Sequence, residues 1–291
     1  MTVALGRVGV WAPLWLWSQE GPRLPEAAAE LDELGFGAIW VANGPDIMQV
    51  AASLLDVTRR ASVATGIVNI WVHPAATVAA SFTEITARHP GRLLLGLGNG
   101  PREAAQWELS PYRRMVAYFD ELDSYGIPVD DRVLAAVGPR MLALAAKRSC
   151  GSHPFLVTPE HTQQARAVLG AGPLLAPELK VVLEPEPSRA REIARQALGF
   201  YLSKRGYSTN LRRLGFTDDA LAGGGSDRLI DAVVAWGDAD AVLRRVEEFH
   251  QAGADHVALQ VLTDETDHPD PQRRRLPREQ YRQLAGALYG R

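Results

Sequence analysis

Eight apolar runs alternate with segments of helical pattern along the chain, and together they predict its fold. Runs such as residues 63–71 and 92–98 are apolar on both faces, which is typical of buried parallel strands. The segments between them carry apolar residues at helical spacing, as in residues 24–34 and 242–249. We predict strands near residues 7–13, 38–42, 62–71, 92–98, 132–137, 153–158, 179–184 and 255–262.

One local unit recurs near the start, middle and end of the chain. In residues 31–41, 145–157 and 249–259 a helix closes at a glycine and a short turn leads into an apolar strand. Eight such strands alternating with helices indicate an α/β fold of the (β/α)8 TIM-barrel type, in one domain over residues 1–291. An open doubly wound sheet is the alternative. Long insertions are expected after strand 4 (residues 101–131) and before strand 8 (residues 205–240), as lids or binding loops.

The composition and net charge of the chain exclude some classes of function. The 291 residues are 46% hydrophobic and 22% charged with a net charge of −3, so there is no global basic field for nucleic acid. No apolar run approaches the roughly 20 residues of a membrane helix, and the start lacks a signal-peptide pattern. We therefore expect a cytoplasmic protein with neither a nucleic-acid nor a membrane partner. Cys150 is the only cysteine, which excludes an internal disulfide and favours a plain thiol.

Small and amide residues stand where two predicted strands meet their loops. They are Gly66 and Asn69 at the third strand, and Gly98, Asn99 and Gly100 at the fourth. Chemistry in a parallel barrel is carried out at the C-terminal ends of the strands. We therefore predict that these residues line a site where a flat ligand approaches the backbone closely.

Tryptophans cluster near the same end of the chain. Trp11 and Trp71 are equally consistent with an aromatic wall around a planar ligand and with the barrel core, whereas Trp40 favours the core. No H-E-x-x-H or similar pair occurs, so we predict no metal site.

Two predicted helices begin directly after strands, where free N–H groups attract anions. One starts at Gly138-Pro139 and the other at Thr158-Pro159, and either turn suits a phosphate. Alternatively, both prolines are ordinary first-turn residues. His161 follows the sixth strand and is a candidate contact for an anion or substrate. Arginines 102, 205, 212 and 213 in the insertions either meet an acidic cofactor tail or lie on the surface.

The ordered set of runs 34–41, 65–69, 91–98, 136–145, 153–162 and 252–257 resembles the luciferase-like monooxygenase superfamily, most of all its coenzyme F-420 dependent branch. The resemblance implies a bacterial-luciferase-like barrel that binds a deazaflavin (coenzyme F-420) or FMN at the C-terminal face. It implies a non-prolyl cis peptide bulge at Gly66–Ile67 behind the central ring. It also implies that Gly138 and the turn 158–162 receive the ribityl-phosphate end.

The resemblance assigns cofactor contacts but no clear catalyst. Asn43 stands after strand two, where relatives have an acidic residue or an acidic-His pair. After strand four, Asn99 is the first residue of a segment that replaces the small-polar and acidic or His pattern of several relatives. Asn43 and His161 are therefore only weak catalytic candidates. The expected cofactor-binding residues are Trp11, Asn43, Gly66, Ile67, Asn69, Gly98, Asn99, Gly138, Thr158, His161 and Thr162.

The function that the resemblance implies is hydride transfer between a small organic substrate and coenzyme F-420. The alternatives are an FMN-dependent monooxygenase working with a separate flavin or deazaflavin reductase, and a non-catalytic flavin-binding barrel. Relatives are often dimers, so we expect a homodimer. A cofactor-free barrel such as an aldolase requires a lysine at a strand end, whereas Lys147 and Lys180 are predicted to end a helix and to begin a strand.

Overall fold

The computed structural model describes residues 3–42, 44–100 and 110–290. Its strands are β1 (Val8–Pro13), β2 (Ala38–Ala42), β3 (Ser62–Thr65), β4 (Val68–Asn69), β5 (Leu93–Gly98), β6 (Arg132–Leu134), β7 (Gly151–Ser152), β8 (Leu174–Leu175), β9 (Glu178–Val182), β10 (Val234–Trp236) and β11 (Val257–Val261). Its α-helices are α1 (Leu14–Glu20), α2 (Leu24–Glu33), α3 (Ile47–Val57), α4 (Ala75–Arg88), α5 (Pro111–Ser124), α6 (Pro139–Arg148), α7 (Pro159–Leu169), α8 (Pro187–Leu202), α9 (Arg205–Arg213), α10 (Asp218–Leu221), α11 (Asp227–Val233), α12 (Ala239–Gln251) and α13 (Arg278–Tyr289).

The described strands pair in parallel, in the order β10-β9-β11-β1-β2-β3-β5-β6-β7-β8, and β4 extends the sheet beside β5. β8 lies at one end of this order and β9 lies near the other end. Only two residues separate β8 from β9 in the chain, so the two ends of the sheet come together. The backbone N–H of Ala176 donates to Ser152, and that of Ala258 donates to Pro177. The sheet therefore curls into a parallel α/β barrel, consistent with the predicted TIM-barrel class.

The two faces of the strands are buried in different surroundings. One face, including Val10, Ile39 and Leu95, packs in the main hydrophobic cluster with the surrounding helices. The other face, including Trp11 and Leu94, lines the barrel interior. Burial on both sides explains why the strands read as continuous apolar runs rather than alternating ones.

An aromatic stack fills part of the interior. The rings of Trp40 and His153 lie 4.0 Å apart at 13°, and Trp40 Nε1 donates to Nε2 of His256 at 3.0 Å. Gly9 makes room for this stack, because a Cβ there would lie 2.8 Å from His256. Trp40 is fully buried, so its predicted place in the core is confirmed.

Three expectations about the strands are corrected. The sixth strand was expected over residues 153–158, but it is β7, which ends at Ser152. Pro154 has no N–H for a ladder, and Leu156 adopts a positive φ of 55°, which turns the chain out of extended geometry. The short strands β8 and β10 were not predicted, because two or three residues carry too little periodic signal.

The two expected insertions take different forms. Residues 101–109 lie outside the described residues, and from Pro111 the excursion is the helix α5, whose Tyr118 is fully buried. Residues 205–240 contain α9, α10, α11 and β10. In the described part of the chain, no helix is long and apolar enough to cross a membrane.

Candidate active site

The third barrel strand is interrupted between β3 and β4, and the interruption is a backbone bulge. The peptide bond Gly66–Ile67 is cis, as the family resemblance implies. The Gly66 N–H donates to the Val41 carbonyl at 2.6 Å, which ties the bulge to β2. Gly66, Ile67 and Asn69 remain partly exposed, so a ligand can reach this surface.

The end of the neighbouring strand β5 packs closely against the bulge. β4 pairs with β5 so that Asn69 lies opposite Gly98, and a Cβ on Gly98 would lie 2.8 Å from the Ile67 side chain. A Cβ on Gly100 would overlap the Asn69 amide, and Gly100 itself has a φ of +62°. The residues predicted at the ends of strands three and four therefore do lie together, and their small size is what allows the contact.

Two buried polar atoms flank Gly66 from the barrel interior. A Cβ on Gly66 would lie 2.8 Å from Trp11 Nε1 and 3.4 Å from His153 Nε2, and neither nitrogen has a hydrogen-bond partner among the described residues. His153 Nδ1 lies 2.6 Å from the Ala176 carbonyl and donates to it, so its Nε2 is an acceptor. Burial lowers the pKa of His153 to about 3, which keeps the ring neutral.

A second group lies at the N-termini of α6 and α7. Thr158 caps α7 by accepting from the His161 N–H at 3.3 Å, and Thr162 Oγ1 donates to the Thr158 carbonyl at 3.1 Å. His161 Nε2 donates to the carbonyl of Val137, the residue before Gly138, at 2.8 Å, so the two helix starts are joined. His161 is buried and burial lowers its pKa, which disfavours a role as a cation.

An arginine of the predicted insertion reaches this group. A Cβ on Gly138 would lie 3.3 Å from Nη1 of Arg213, which has no carboxylate partner among the described residues. Arg213 is exposed, and both a guanidinium and a helix N-terminus attract anions. The α6 start with Arg213 is therefore a candidate position for a phosphate.

Among the remaining predicted site residues, Asn43 lies outside the described residues. Asn99 is half-buried, and its Oδ1 has no partner in the described part of the chain. Cys150 is buried, and burial raises the pKa of its thiol to about 12, as expected for an inert thiol. The described residues contain no group of three or more His, Cys, Asp or Glu side chains arranged to hold a metal ion.

The sequence reading missed an aromatic cluster beside the bulge. Phe155 packs against Trp11 at 5.2 Å and against Tyr201 and Tyr207, which come from the helices before and inside the second insertion. Under this cluster, Lys180 is fully buried with Nζ 2.8 Å from Glu178 Oε1. Lys180 does not begin a strand as expected, because it is the third of the five residues of β9.

The donor set at the bulge fits a flavin-type ring. Such a ring presents an apolar face together with carbonyl acceptors and ring N–H donors. The bulge offers a partly exposed, glycine-rich surface, and around it lie the unpartnered donor of Trp11 and the unpartnered acceptors of His153 and Asn99. The start of α6 lies just beyond the end of β6, and Ala135, the residue after β6, lies 3.2 Å from a Cβ built on Gly98.

Residues 9–122 match the luciferase-like monooxygenase family model. The matched region runs from the second residue of β1 through β5 into α5 and includes the whole bulge. The resemblance inferred from the sequence is therefore confirmed.

Solved structures with the same fold include coenzyme F-420 and FMN proteins. The coenzyme F-420 dependent tetrahydromethanopterin reductase from Methanopyrus kandleri is 17% identical, with a TM-score of 0.73 over 97% of this chain and 98% of that one. An F-420-dependent secondary alcohol dehydrogenase, solved with an F-420-acetone adduct, is 16% identical, with a TM-score of 0.69 over 88% and 93%. The oxygenating constituent of 3,6-diketocamphane monooxygenase from Pseudomonas putida, solved with FMN, is 15% identical, with a TM-score of 0.60 over 95% and 96%.

At these identities the likeness shows the fold, which is shared along nearly the whole chain. No curated protein sequence matches the chain significantly.

Proposed function

We propose that this protein is an oxidoreductase that transfers a hydride between a small organic substrate and coenzyme F-420 bound at the C-terminal barrel face. The observation that carries the proposal is the glycine bulge at Gly66–Ile67, flanked by the unpartnered Trp11 Nε1 and His153 Nε2. Its position in a luciferase-like barrel supports a deazaflavin ring as the ligand.

Different residues of the chain would bind the ring and the ribityl-phosphate end of the cofactor. Gly66, Ile67 and Asn69 would support the ring, while Gly98 and Asn99 border it. The turn 158–162 would hold the ribityl-phosphate end with Gly138 and Arg213, because helix N-termini and a guanidinium both favour anions. When bound, coenzyme F-420 supplies the hydride chemistry, and the protein orients the ring and handles protons.

FMN is the second candidate cofactor, since a solved neighbour of this fold carries FMN. In that case the protein would be a monooxygenase supplied with reduced flavin by a separate reductase. A non-catalytic flavin-binding barrel remains the third reading. We also propose that the protein is a cytoplasmic homodimer.

A titration separates these readings. Purified protein is titrated with oxidised coenzyme F-420 and, separately, with FMN, and binding is followed by ring fluorescence. Tight F-420 binding without FMN binding supports the proposal, and the reverse supports the monooxygenase. Binding of neither cofactor contradicts both. Turnover of bound reduced cofactor with carbonyl compounds then distinguishes an enzyme from a binding protein.

A further inference from the structure

We propose that Lys180 is the proton donor and acceptor of the active site, and that its substrate atom is the oxygen or nitrogen of a carbonyl or imine group. This inference rests on the proposed hydride transfer. It answers the question left open by Asn43 and Asn99, which cannot exchange protons near neutral pH.

Lys180 faces the bulge across the barrel. In the sheet order, β9 and the adjoining β8 lie four strands from β3 in both directions, through β2, β1 and β11 on one side and β5, β6 and β7 on the other. The strand that carries Lys180 is therefore opposite the strand that ends in Gly66. The Phe155 ring packs against both Trp11 and the Lys180 ammonium group, so a substrate between the cofactor ring and the far wall of the barrel contacts Lys180 where the Phe155 ring is displaced.

The register places Lys180 in the same inward row as Trp11. Gln260 is opposite Lys180 on β11, and Leu259 is opposite Val10 on β1, so Gln260 lies between Lys180 and Trp11. Gln260 is buried and its Oε1 has no partner in the described part of the chain. This row therefore carries a cation, an amide and an indole, all buried, and the amide oxygen of Gln260 and the indole nitrogen of Trp11 have no hydrogen-bond partner among the described residues.

The ammonium group of Lys180 has N–H bonds without a hydrogen-bond acceptor among the described residues. Among the described residues, only Glu178 accepts a hydrogen bond from it, and Nζ otherwise lies 3.7 Å from the centre of the Phe155 ring. Glu178 is itself fixed, because its Oε2 accepts from the Leu156 N–H at 3.2 Å. Glu178 thus holds the amine while leaving two N–H bonds for a substrate.

The groups facing Lys180 set how readily it releases a proton. Burial lowers the pKa of Lys180, and the charges of Glu178 and Asp267 oppose that effect. Burial also raises the pKa of Asp267 and of the Tyr201 and Tyr207 hydroxyls. Glu178 is the acidic group that contacts Lys180 directly, and the net pKa of Lys180 lies below that of an ordinary lysine.

Bound reduced coenzyme F-420 would supply the hydride, and Lys180 would supply the proton. In reduction, the hydride would add to the substrate carbon and the π pair would move to the oxygen or nitrogen. That atom takes a proton from Nζ, so an N–H bond breaks and an O–H or N–H bond forms. The neutral amine is reprotonated from solvent. In oxidation both transfers run in reverse.

The low lysine content makes Lys180 directly observable. The chain has only Lys147, Lys180 and Lys204, so protein grown with Cε-¹³C lysine gives three side-chain NMR signals. Lys180→Met and Lys147→Met assign two of them. We expect the Lys180 signal to titrate at lower pH than an ordinary lysine, and to shift when F-420 is added while the Lys147 signal stays in place.

The outcomes separate this inference from the proposed function. If ring fluorescence reports F-420 binding but the Lys180 signal neither shifts nor titrates early, the inference is wrong and the proposed function stands. If neither F-420 nor FMN binds, the proposed function fails. If borohydride traps an imine between Lys180 and an added aldehyde, the amine acts as a nucleophile and the inference is also wrong.

A kinetic comparison tests the role itself. Lys180→Met/Glu178→Gln avoids leaving a buried carboxylate unpaired, and Lys180→Arg keeps the charge but cannot exchange a proton near neutral pH. With reduced F-420 and a ketone or imine substrate, both variants should turn over about 10²–10⁴-fold more slowly. F-420 affinity should be unchanged. The limb of the pH–rate profile that reports the ionisation of Lys180 should disappear. Restored turnover in Lys180→Arg would show that only the charge matters.

Discussion

The indole nitrogen of Trp11 lies 2.8 Å from where a Cβ on Gly66 would be. This close approach joins the first and third strands of the barrel at the point where the bulge begins. Trp11 is buried and packed against Phe155, so it has little freedom to move away. Glycine is therefore required at position 66 for packing reasons alone.

Gly66→Ala should destabilise the protein by about 1–3 kcal/mol, the usual effect of forcing a methyl group into a packed interior. It should also weaken cofactor binding, because Trp11 must shift beside the ring. Urea denaturation and F-420 titration measure the two effects. The matched control is Gly172→Ala, whose Cβ would meet nothing within 4 Å. Equal behaviour of the two variants would contradict the packing argument.

Arg213→Gln should weaken cofactor binding by about 1.5–3 kcal/mol, the range for a hydrogen bond to a charged group, and reduce the dependence of binding on salt. The guanidinium lies beside the α6 start, where we place the phosphate. Arg244→Gln, on the exposed surface of α12, is the control. Affinities measured at low and high salt check both statements, and an unchanged affinity for Arg213→Gln would argue for another phosphate site.

The buried imidazoles of His153 and His256 predict a loss of stability in mild acid. Burial lowers the pKa of His153 to about 3 and that of His256 to about 4. The unfolded chain takes up protons below about pH 6.5 that the folded chain cannot. The free energy of unfolding should therefore fall from about pH 6.5 to 4, by up to about 1.4 kcal/mol per pH unit for each ring.

The variant His153→Gln should be less stable overall but should show a shallower fall over this range. His268→Gln, in the loop before α13, should keep the full slope. Denaturant unfolding at a series of pH values provides the comparison. A wild-type curve that is flat between pH 6.5 and 4 would show that these rings are not held neutral.

The carboxylate of Asp32 stabilises the turn between α3 and β3 by hydrogen bonds. Its carboxylate accepts the backbone N–H groups of Arg59, Arg60 and Ala61 at 2.9, 3.0 and 2.6 Å. Burial raises the pKa of Asp32, but these hydrogen bonds outweigh it and the net pKa is lowered. Because the folded pKa is depressed, the stabilisation is present above the unfolded value of about 4 and is lost as pH falls below it.

Asp32→Asn should cost about 1–3 kcal/mol at pH 7, and the difference from wild type should shrink below about pH 4. Asp46→Asn, at a helix start where the side chain makes no capping hydrogen bond, should have little effect. A constant difference for Asp32→Asn across the pH range would exclude the charged form as the source of the stabilisation.

The glycines at positions 66 and 98 interrupt two apolar runs, and strand order places these runs side by side, so the residues alone predicted a glycine-rich site. The cis bulge at Gly66–Ile67 was implied by the family resemblance, and the pairing of Asn69 with Gly98 became visible only in the structure. The sixth strand was misplaced because residues 153–158 read as apolar and extended, whereas Pro154 and the positive φ of Leu156 end the ladder at Ser152.

Lys180 could not be placed from the sequence for a physical reason. Both faces of β9 are buried, so the alternation that normally tells inward from outward positions is absent. The pairing of its ammonium group with Glu178, two residues earlier on the same face, becomes visible only when the strand is positioned. Arg213 was likewise indistinguishable from a surface arginine until α9 was seen to reach Gly138.

The most direct test of the proposed site is a crystal structure of the protein with oxidised coenzyme F-420. We expect the ring to lie against Gly66 and Ile67, with Lys180 on the opposite wall of the barrel. The phosphate should then lie within hydrogen-bond distance of the α6 N-terminus or Arg213. A cofactor bound away from the bulge, in a protein that binds F-420 tightly in solution, would contradict the assignment.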